Sequence, residues 1–417
     1  MRLYPILAPI LGPLALLALR WLARREPEWR HHMPQRRGEL PVVGNAPLWV
    51  HAASVGEVRS ALALVRALRQ QYPRRPFLLT AFTPTGMAAW QAAKIPRATV
   101  AAWPIDHGPW VRRALDRVRP QLLLIIETEI WPQMLLAAHQ RQIPVVFVSA
   151  RVRASSVRGW KRWLGAGLMR RCLGPVALLS AQTPADAKRF SQLGAQRVAA
   201  LGSLKWDLAA PAPQPAWADC LASVCTGRPV WLAASTHPGE EEQVLKAHRS
   251  LRRDWPQALL ILAPRHPRRA AEVTQLAQQQ GLSVVRRSTK QAPEAAAVWL
   301  LDTLGELQAV FDQVKVVFMG GSLVPIGGHN LLEPARARCA IITGPHWRNA
   351  EDVGQALQDA QAWLPIEQGG ELPKVIAELW QSPQRVTQLG RDAQAVQQAG
   401  SGAQSRIVQA LRPWLDN

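Results

Sequence analysis

Residues 48–58 read LWVHAASVGEV, an apolar run that gives way to small residues and then to a carboxylate, Glu57. Beyond the break, Val58, Ala61, Leu62, Val65 and Leu68 recur at i, i+3, i+4, i+7 and i+10, the spacing of one apolar helix face. Leu48 to Ala53 is then a strand, and Ser54 and Gly56 lie in the loop that joins it to the helix. Such a strand–loop–helix turn is where an open α/β sheet places its ligand crevice, which puts Glu57 at the crevice rim. A carboxylate in the first turn of a helix also complements the helix dipole, so the position alone leaves both roles open.

The rhythm extends outward from this turn. FLLTA (77–81), TVAAW (99–103), LLLII (122–126), VVFVSA (145–150), ALLSAQ (177–182) and VAALG (198–202) alternate with helical patterns, as in a parallel sheet buried on both faces. A proline-rich stretch, AAPAPQPAW (209–217), interrupts the alternation, which restarts with VWLAAS (230–235), ALLILAP (258–264), VWLLDT (298–303), VKVVFMGG (314–321) and AIITGP (340–345). The 417 residues exceed what one ordinary core accommodates. The expected architecture is therefore two α/β domains, 48–208 and 226–417, joined by a proline-rich linker over 209–225. Their beginnings resemble each other: WVHAASVGEV (49–58) is echoed by VWLAASTHPGEEEQV (230–244).

Ahead of the first domain, residues 3–19 (LYPILAPILGPLALLAL) are uncharged and mostly apolar, though interrupted by Pro5, Pro9, Gly12 and Pro13. Arg20, Arg24, Arg25, Arg30, Arg36 and Arg37 follow. The expectation is a membrane anchor over 1–23 and a basic juxtamembrane segment over 24–47, with the body on the cytoplasmic side of the inner membrane. No A-x-A-type cleavage site follows the apolar stretch. The formal net charge of +21 predicts attraction to a polyanion: nucleic acid, anionic lipid or phosphorylated substrate. The tryptophans are not interleaved with Lys and Arg in a stacking pattern, which argues against nucleic acid. Cys172, Cys220, Cys225 and Cys339 are scattered, with no CxxC pair and no Cys/His cluster, so neither a disulfide framework nor structural zinc is expected.

The densest concentration of special residues is MGGSLVPIGGHNLLEPARA (319–337). Glycines after a strand let backbone N–H groups approach a phosphate, and a Glu in the following helix, Glu333, can accept hydrogen bonds from a ribose diol. There is no GxGxxG after a strand and no Gly-Lys pair, so neither a dinucleotide site nor a P-loop is supported. No Asp-x-Asp occurs to hold a metal-bound nucleotide, and no cofactor is implied.

With HAASVGEV, ETEIWP (127–132), SLKWD (203–207), ASTHPGEE (234–241), APRHPRR (263–269), DTLGEL (302–307) and GGSLVPIGGHNLLEPA in this order, the sequence resembles the bacterial Kdo transferase family, which builds lipopolysaccharide. The resemblance implies a GT-B glycosyltransferase: two Rossmann-like parallel-sheet domains facing a central cleft, the N-terminal one for the acceptor and the C-terminal one for a CMP-sugar. It implies a metal-independent, inverting transfer of 3-deoxy-D-manno-octulosonic acid (Kdo) from CMP-Kdo to the lipid A precursor at an anionic membrane, with no nucleic acid. By the same resemblance Glu57 is the general base, and Glu127 and Lys205 stabilise the transition state. CMP is contacted by Pro264 and Arg265, by Leu304, Gly305 and Glu306, and by Asn330, Leu331, Leu332 and Glu333. Ser235, Thr236 and His237 line the cleft. A GT-B transferase or epimerase with another nucleotide sugar is the alternative reading.

Overall fold

The computed structural model describes residues 3–160, 165–207 and 217–416, which form two compact α/β units. The first, Met1–Asp207 with Gly400–Asn417, is built on seven parallel strands. These are β1 (Leu48–His51), β2 (Phe77–Ala81), β3 (Ala98–Ala102), β4 (Leu122–Ile126), β5 (Val145–Ala150), β6 (Leu178–Ala181) and β7 (Val198–Ala200), in the spatial order β3-β2-β1-β4-β5-β6-β7. Alternate residues feed two layers. Trp49, Leu78, Leu123, Ile125 and Phe147 enter one, and Leu48, Val50, Phe77, Leu79, Leu122 and Leu124 the other. Because Leu48 pairs with both Phe77 and Leu122, the direction of winding reverses between β1 and β4. Parallel strands all end on one edge, so the loops bearing Glu57 and Glu127 leave the sheet side by side there.

The second unit, Leu208–Ala399, also carries seven parallel strands. They are β8 (Val230–Thr236), β9 (Leu259–Pro264), β10 (Val284–Arg286), β11 (Val298–Leu300), β12 (Val316–Met319), β13 (Ala340–Thr343) and β14 (Leu364–Pro365), ordered β10-β11-β9-β8-β12-β13-β14. Here the reversal falls between β8 and β12. Every strand-like run in the sequence forms a strand. The two that gave no signal, β10 and β14, are the outermost, span three and two residues, and are not fully buried.

Three boundaries differ from expectation. The chain end does not stay with the second sheet: in the helix Ala403–Leu415, Ala403, Ile407, Leu411 and Leu415 recur every fourth residue and complete an apolar layer of the N-terminal unit. Asp207 caps that helix, accepting hydrogen bonds from the N–H groups of Gly402 and Gln404. The periodicity predicts an apolar stripe but carries no information about which sheet it covers. In the proline-rich region, residues 208–216 lie outside the described residues. Trp217–Cys225 is a helix rather than linker, with Ala218 and Leu221 buried and Trp217 edge-on to Trp299 at 5.8 Å.

The third difference concerns the N-terminus. Residues 24–47 are not a solvated basic stretch: Leu40 and Val43 sit in the core, and Arg36 is 1% exposed. The Arg36 guanidinium donates to the carbonyls of Trp103 and Phe82, packs over the Phe82 ring at 4.7 Å, and is pushed down to about 10 by burial. The segment closes the β3 edge, since Ala102 N–H donates to Gln35 and Ile105 N–H to the Arg36 carbonyl. Among the described residues no helix is long and apolar enough to cross a membrane, so a spanning anchor is not supported. The helix Leu3–Arg25 docks Leu16 and Leu19 against Ile105, and Gly12 lies so close to His107 that a Cβ there would meet that side chain at 2.6 Å.

Leu411→Ala should lower the stability of the N-terminal unit by about 2–5 kcal/mol, as for other buried leucines. Urea denaturation followed by tryptophan fluorescence measures this as a lower midpoint.

Candidate active site

In the N-terminal unit, three carboxylates and one amine meet at the carboxyl edge beside the β1/β4 reversal. Glu57 lies in the first turn of the helix Val55–Gln71, after Ser54 in extended conformation. It folds back on its own loop, accepting from Ala53 N–H at 2.7 Å and from Ser54 Oγ at 3.1 Å. These two bonds, to the residue before the N-cap and to the N-cap hydroxyl, fix the carboxylate's orientation while leaving it half-buried. Burial, and behind it the Glu127 charge, raise the Glu57 carboxyl above its usual range, against the bond from Ala53 and the Lys205 charge. Glu127 follows β4 and accepts an ion pair from Lys205 Nζ at 2.7 Å. Glu129, two residues on, is pushed up to about 7 by burial and by the Glu57 charge. At neutral pH it is therefore partly protonated, which limits the repulsion within the cluster.

The backbone around this cluster is held in unusual conformations. Glu127 has φ 58° and Ser149, at the end of β5, φ 56°; both are left-handed conformations that side chains other than glycine rarely adopt. Glu127 N–H donates to the Val148 carbonyl at 2.8 Å. At Ser149 the β5–β6 register shifts, turning its hydroxyl to accept the Leu204 N–H at 2.9 Å, beside Lys205. Ser149 thus positions the loop that carries the lysine, a role with no sequence signal beyond a serine at a strand end. His51 takes no part as acid or base: it is fully buried, stacked on Trp103 at 3.8 Å, and pushed down to about 3 chiefly by burial.

The C-terminal unit corrects the reading of the glycine-rich loop. Glu240 is 0% exposed and accepts from four backbone N–H groups: Gly321 at 2.7 Å, Ser322 at 3.0 Å, Leu323 at 2.9 Å and His237 at 2.9 Å. The donors expected to hold a phosphate are occupied by a carboxylate of the protein. The glycines serve close packing instead. A Cβ at Gly320 would meet the Ser235 carbonyl oxygen at 2.7 Å, and Gly328, at φ +75°, donates to the Gly321 carbonyl at 2.7 Å. Glu241, also buried, pairs with Arg269 at 2.7 Å, and Arg269 in turn pairs with Glu272.

The residues expected to contact nucleotide separate into two groups. Pro264 ends β9 opposite Thr236, where Ser235 at φ 57° shifts the register. Arg265 follows, exposed and without an ion pair among the described residues. Leu304 is 81% exposed and Gly305, at φ +82°, faces open space. Asn330 is exposed, and its side chain bridges Glu333 at 3.1 Å and the Leu332 N–H at 3.1 Å. These groups are accessible. Glu306, by contrast, is engaged by Arg287 at 3.0 Å and by the Thr303 hydroxyl. Leu331 and Leu332 are buried, so their side chains serve the core rather than a ligand.

Residues 29–208 match the family model described as 3-deoxy-D-manno-octulosonic-acid transferase (kdotransferase). The chain is 34% identical to the 3-deoxy-D-manno-octulosonic acid transferase of Haemophilus influenzae, over 99% of this chain and 98% of that one. To its counterpart in Bordetella pertussis it is 37% identical, over 97% of each. Among solved structures, a putative UDP-N-acetylglucosamine 2-epimerase from Listeria monocytogenes superposes with a TM-score of 0.57 at 12% identity, covering 89% of this chain and 97% of that one. The UDP-GlcNAc 2-epimerase of Neisseria meningitidis gives a TM-score of 0.56 at 12% identity, covering 89% and 100%. At that identity the likeness is one of fold, the two-domain GT-B arrangement of parallel sheets.

Glu240→Ala should destabilise the C-terminal unit severely, since each buried N–H left without an acceptor costs about 1–3 kcal/mol. Glu240→Gln should rescue only part of the loss, because its amide turns donors toward a ring of donors. Calorimetric melting of the two variants should rank them in that order below the parent protein.

Proposed function

The chain belongs to the Kdo transferase family and is a glycosyltransferase of lipopolysaccharide synthesis, and on that premise we propose that it moves Kdo from CMP-Kdo to the lipid A precursor, with Glu57 as general base. The observation that carries the assignment is the Glu57 carboxylate itself. It is oriented by Ala53 N–H and Ser54 Oγ, half-buried, and raised in pKa beside the Glu127–Lys205 pair. A carboxylate so raised binds a proton more tightly than a free one and so is a better acceptor for a hydroxyl proton in flight.

In the proposed reaction Glu57 removes the proton of the acceptor hydroxyl as its oxygen attacks the anomeric carbon of Kdo. The bond from that carbon to the phosphate oxygen breaks, its electrons leave with CMP, and attack from the opposite face inverts the configuration. Glu127 and Lys205 stabilise the charge that develops around the acceptor. Arg265, Leu304, Gly305, Asn330 and Glu333 are the accessible groups of the nucleotide site, with Pro264 and Glu306 shaping its turns and Leu331 and Leu332 anchoring its helix. Lys205 and Arg265 supply fixed positive charge, so the reading calls on no metal ion. A different nucleotide sugar remains the alternative, and it has only fold likeness in its favour.

We place the enzyme at the cytoplasmic face of the inner membrane, lying on it rather than through it. The helix Leu3–Arg25 turns Leu14, Leu17 and Trp21 to solvent at 53%, 57% and 53% exposure, with Arg20, Arg24 and Arg25 exposed alongside. An apolar stripe flanked by arginines suits the interface of an anionic leaflet.

Glu57→Gln should reduce transfer by roughly 10²–10⁴-fold while leaving CMP affinity unchanged, because the nucleotide residues belong to the other unit. In the parent enzyme, activity requires the ionised carboxylate. Since its pKa is raised, the rate should begin to fall at a higher pH than for a free glutamate; an acid limb near the ordinary carboxylate range would remove Glu57 as base. For the membrane, Leu17→Glu and Trp21→Glu should each reduce sedimentation with vesicles of anionic phospholipid at 0.15 M salt. The residual binding should fall further as salt rises, because a Debye length of about 8 Å at that ionic strength already screens distant charge.

A further inference from the structure

The imidazoles of three histidines of the C-terminal unit take no part in the hydrogen bonds around Glu240, to which His237 gives only its backbone N–H. His237 follows β8, His266 follows β9 and His329 follows β12. They stand over neighbouring strands at the carboxyl edge, where the strand order reverses and open α/β sheets bind ligands. His237 and His329 face each other, rings stacked with centroids 5.1 Å apart at 8° and Nε2 atoms 2.9 Å apart. The His266 ring stands perpendicular to His237 at 6.0 Å. These rings do not converge as metal ligands: among the described residues no group of three His, Cys, Asp or Glu is placed to hold an ion.

Each neutral imidazole carries one N–H and one bare nitrogen, so the 2.9 Å contact holds a single proton between two Nε2 atoms. Neither Nδ1 has a hydrogen-bond partner among the described residues. The facing charges leave a positive remainder. Glu240, on the His237 loop, is occupied by four N–H groups, and Glu241 is paired with Arg269. Arg265 and His266, beyond β9, have no acidic partner among the described residues. Burial, and after it the charges of His237, Arg265 and His266, hold His329 down at about 4. His237 is lowered too, by burial foremost, although the Glu240 charge works the other way. Both imidazoles are thus harder to protonate than a free one, and an arriving anion would offset the Arg265 charge that contributes to this at each of them.

We propose that His237 and His329, with Arg265, form the subsite for the phosphate of the nucleotide donor, and that the pair takes up one proton from solvent as the phosphate docks. This rests on the CMP-donor reading above. The backbone N–H groups that a glycine-rich loop ordinarily offers to phosphate are occupied by Glu240, and the histidine pair takes over their role. It also ties donor affinity to pH: between the pair's free and phosphate-bound pKa values, a falling pH strengthens binding.

Titration calorimetry with CMP and with cytidine, at pH 7.5 in buffers of different ionisation heat, tests the assignment. The parent enzyme should prefer CMP and draw a proton from the buffer with CMP but not with cytidine. His237→Asn and His329→Asn should each lose roughly ten- to a hundredfold of that preference, and the proton uptake, with cytidine affinity unchanged. Variants that keep both the preference and the uptake overturn the subsite. If they lose cytidine binding as well, the parent enzyme decides with the methyl ester of CMP, a phosphodiester that does not itself titrate near neutral pH: its docking without proton uptake overturns the proposal, and uptake with it but not with cytidine upholds it. A parent enzyme that binds neither ligand rejects the donor reading itself, and the subsite with it.

Discussion

One buried carboxylate holds the working edge of the C-terminal sheet together. Glu240 is sealed from solvent, and a charge in that position is tolerable only because four N–H groups converge on it. Two segments far apart in sequence are joined through it, the loop after β8 and the loop after β12. The glycines at 320, 321, 327 and 328 follow from the same constraint, since side chains there would collide with the Ser235 backbone, His329, Asn349 and the His346 backbone. Arg265 and the histidine pair, which we propose receive the donor phosphate, stand beside this lock without being consumed by it.

The N-terminal unit uses the same local device to a different end. AASVGEV and AASTHPGEE both place a Gly-Glu pair where a strand turns into a helix, and in both the Glu folds back on its loop. Glu57 receives two hydrogen bonds, stays half-exposed and is raised in pKa; Glu240 receives four and is closed off. The difference is what the neighbouring loop supplies. After β4 come two more carboxylates and, through Ser149, a lysine; after β12 comes a row of N–H donors. One glutamate keeps the capacity to accept a proton, and the other is spent on structure.

The basic excess divides in a similar way. Arg36 donates to two carbonyls inside the fold, Arg69 to those of Tyr72, Pro73 and Arg75, and Arg228 to those of Gln257, Pro293, Glu294 and Ala296. A guanidinium presents five donors, so one arginine can satisfy several loop carbonyls at a strand end. Formal charge therefore overstates the field available to an anionic partner. The exposed remainder includes Arg20, Arg24 and Arg25 beside the apolar stripe of the first helix.

Strand identity, the parallel alternation and the placing of Glu57 at a strand–helix turn were legible in the sequence, because each depends on neighbours within a few residues and on hydrophobic period. The family was legible too, since its motifs are local strings. Tertiary structure alone decided that Ala403–Leu415 belongs to the first sheet, that Arg36 is interior, that the glycine-rich loop's donors go to Glu240, and that His237 meets His329 92 residues away in sequence. The physical reason is the same in each case. An apolar stripe, a guanidinium, an N–H group and an imidazole declare what they need, but a partner supplied by a distant loop leaves no periodicity in the chain, and only packing brings the two together.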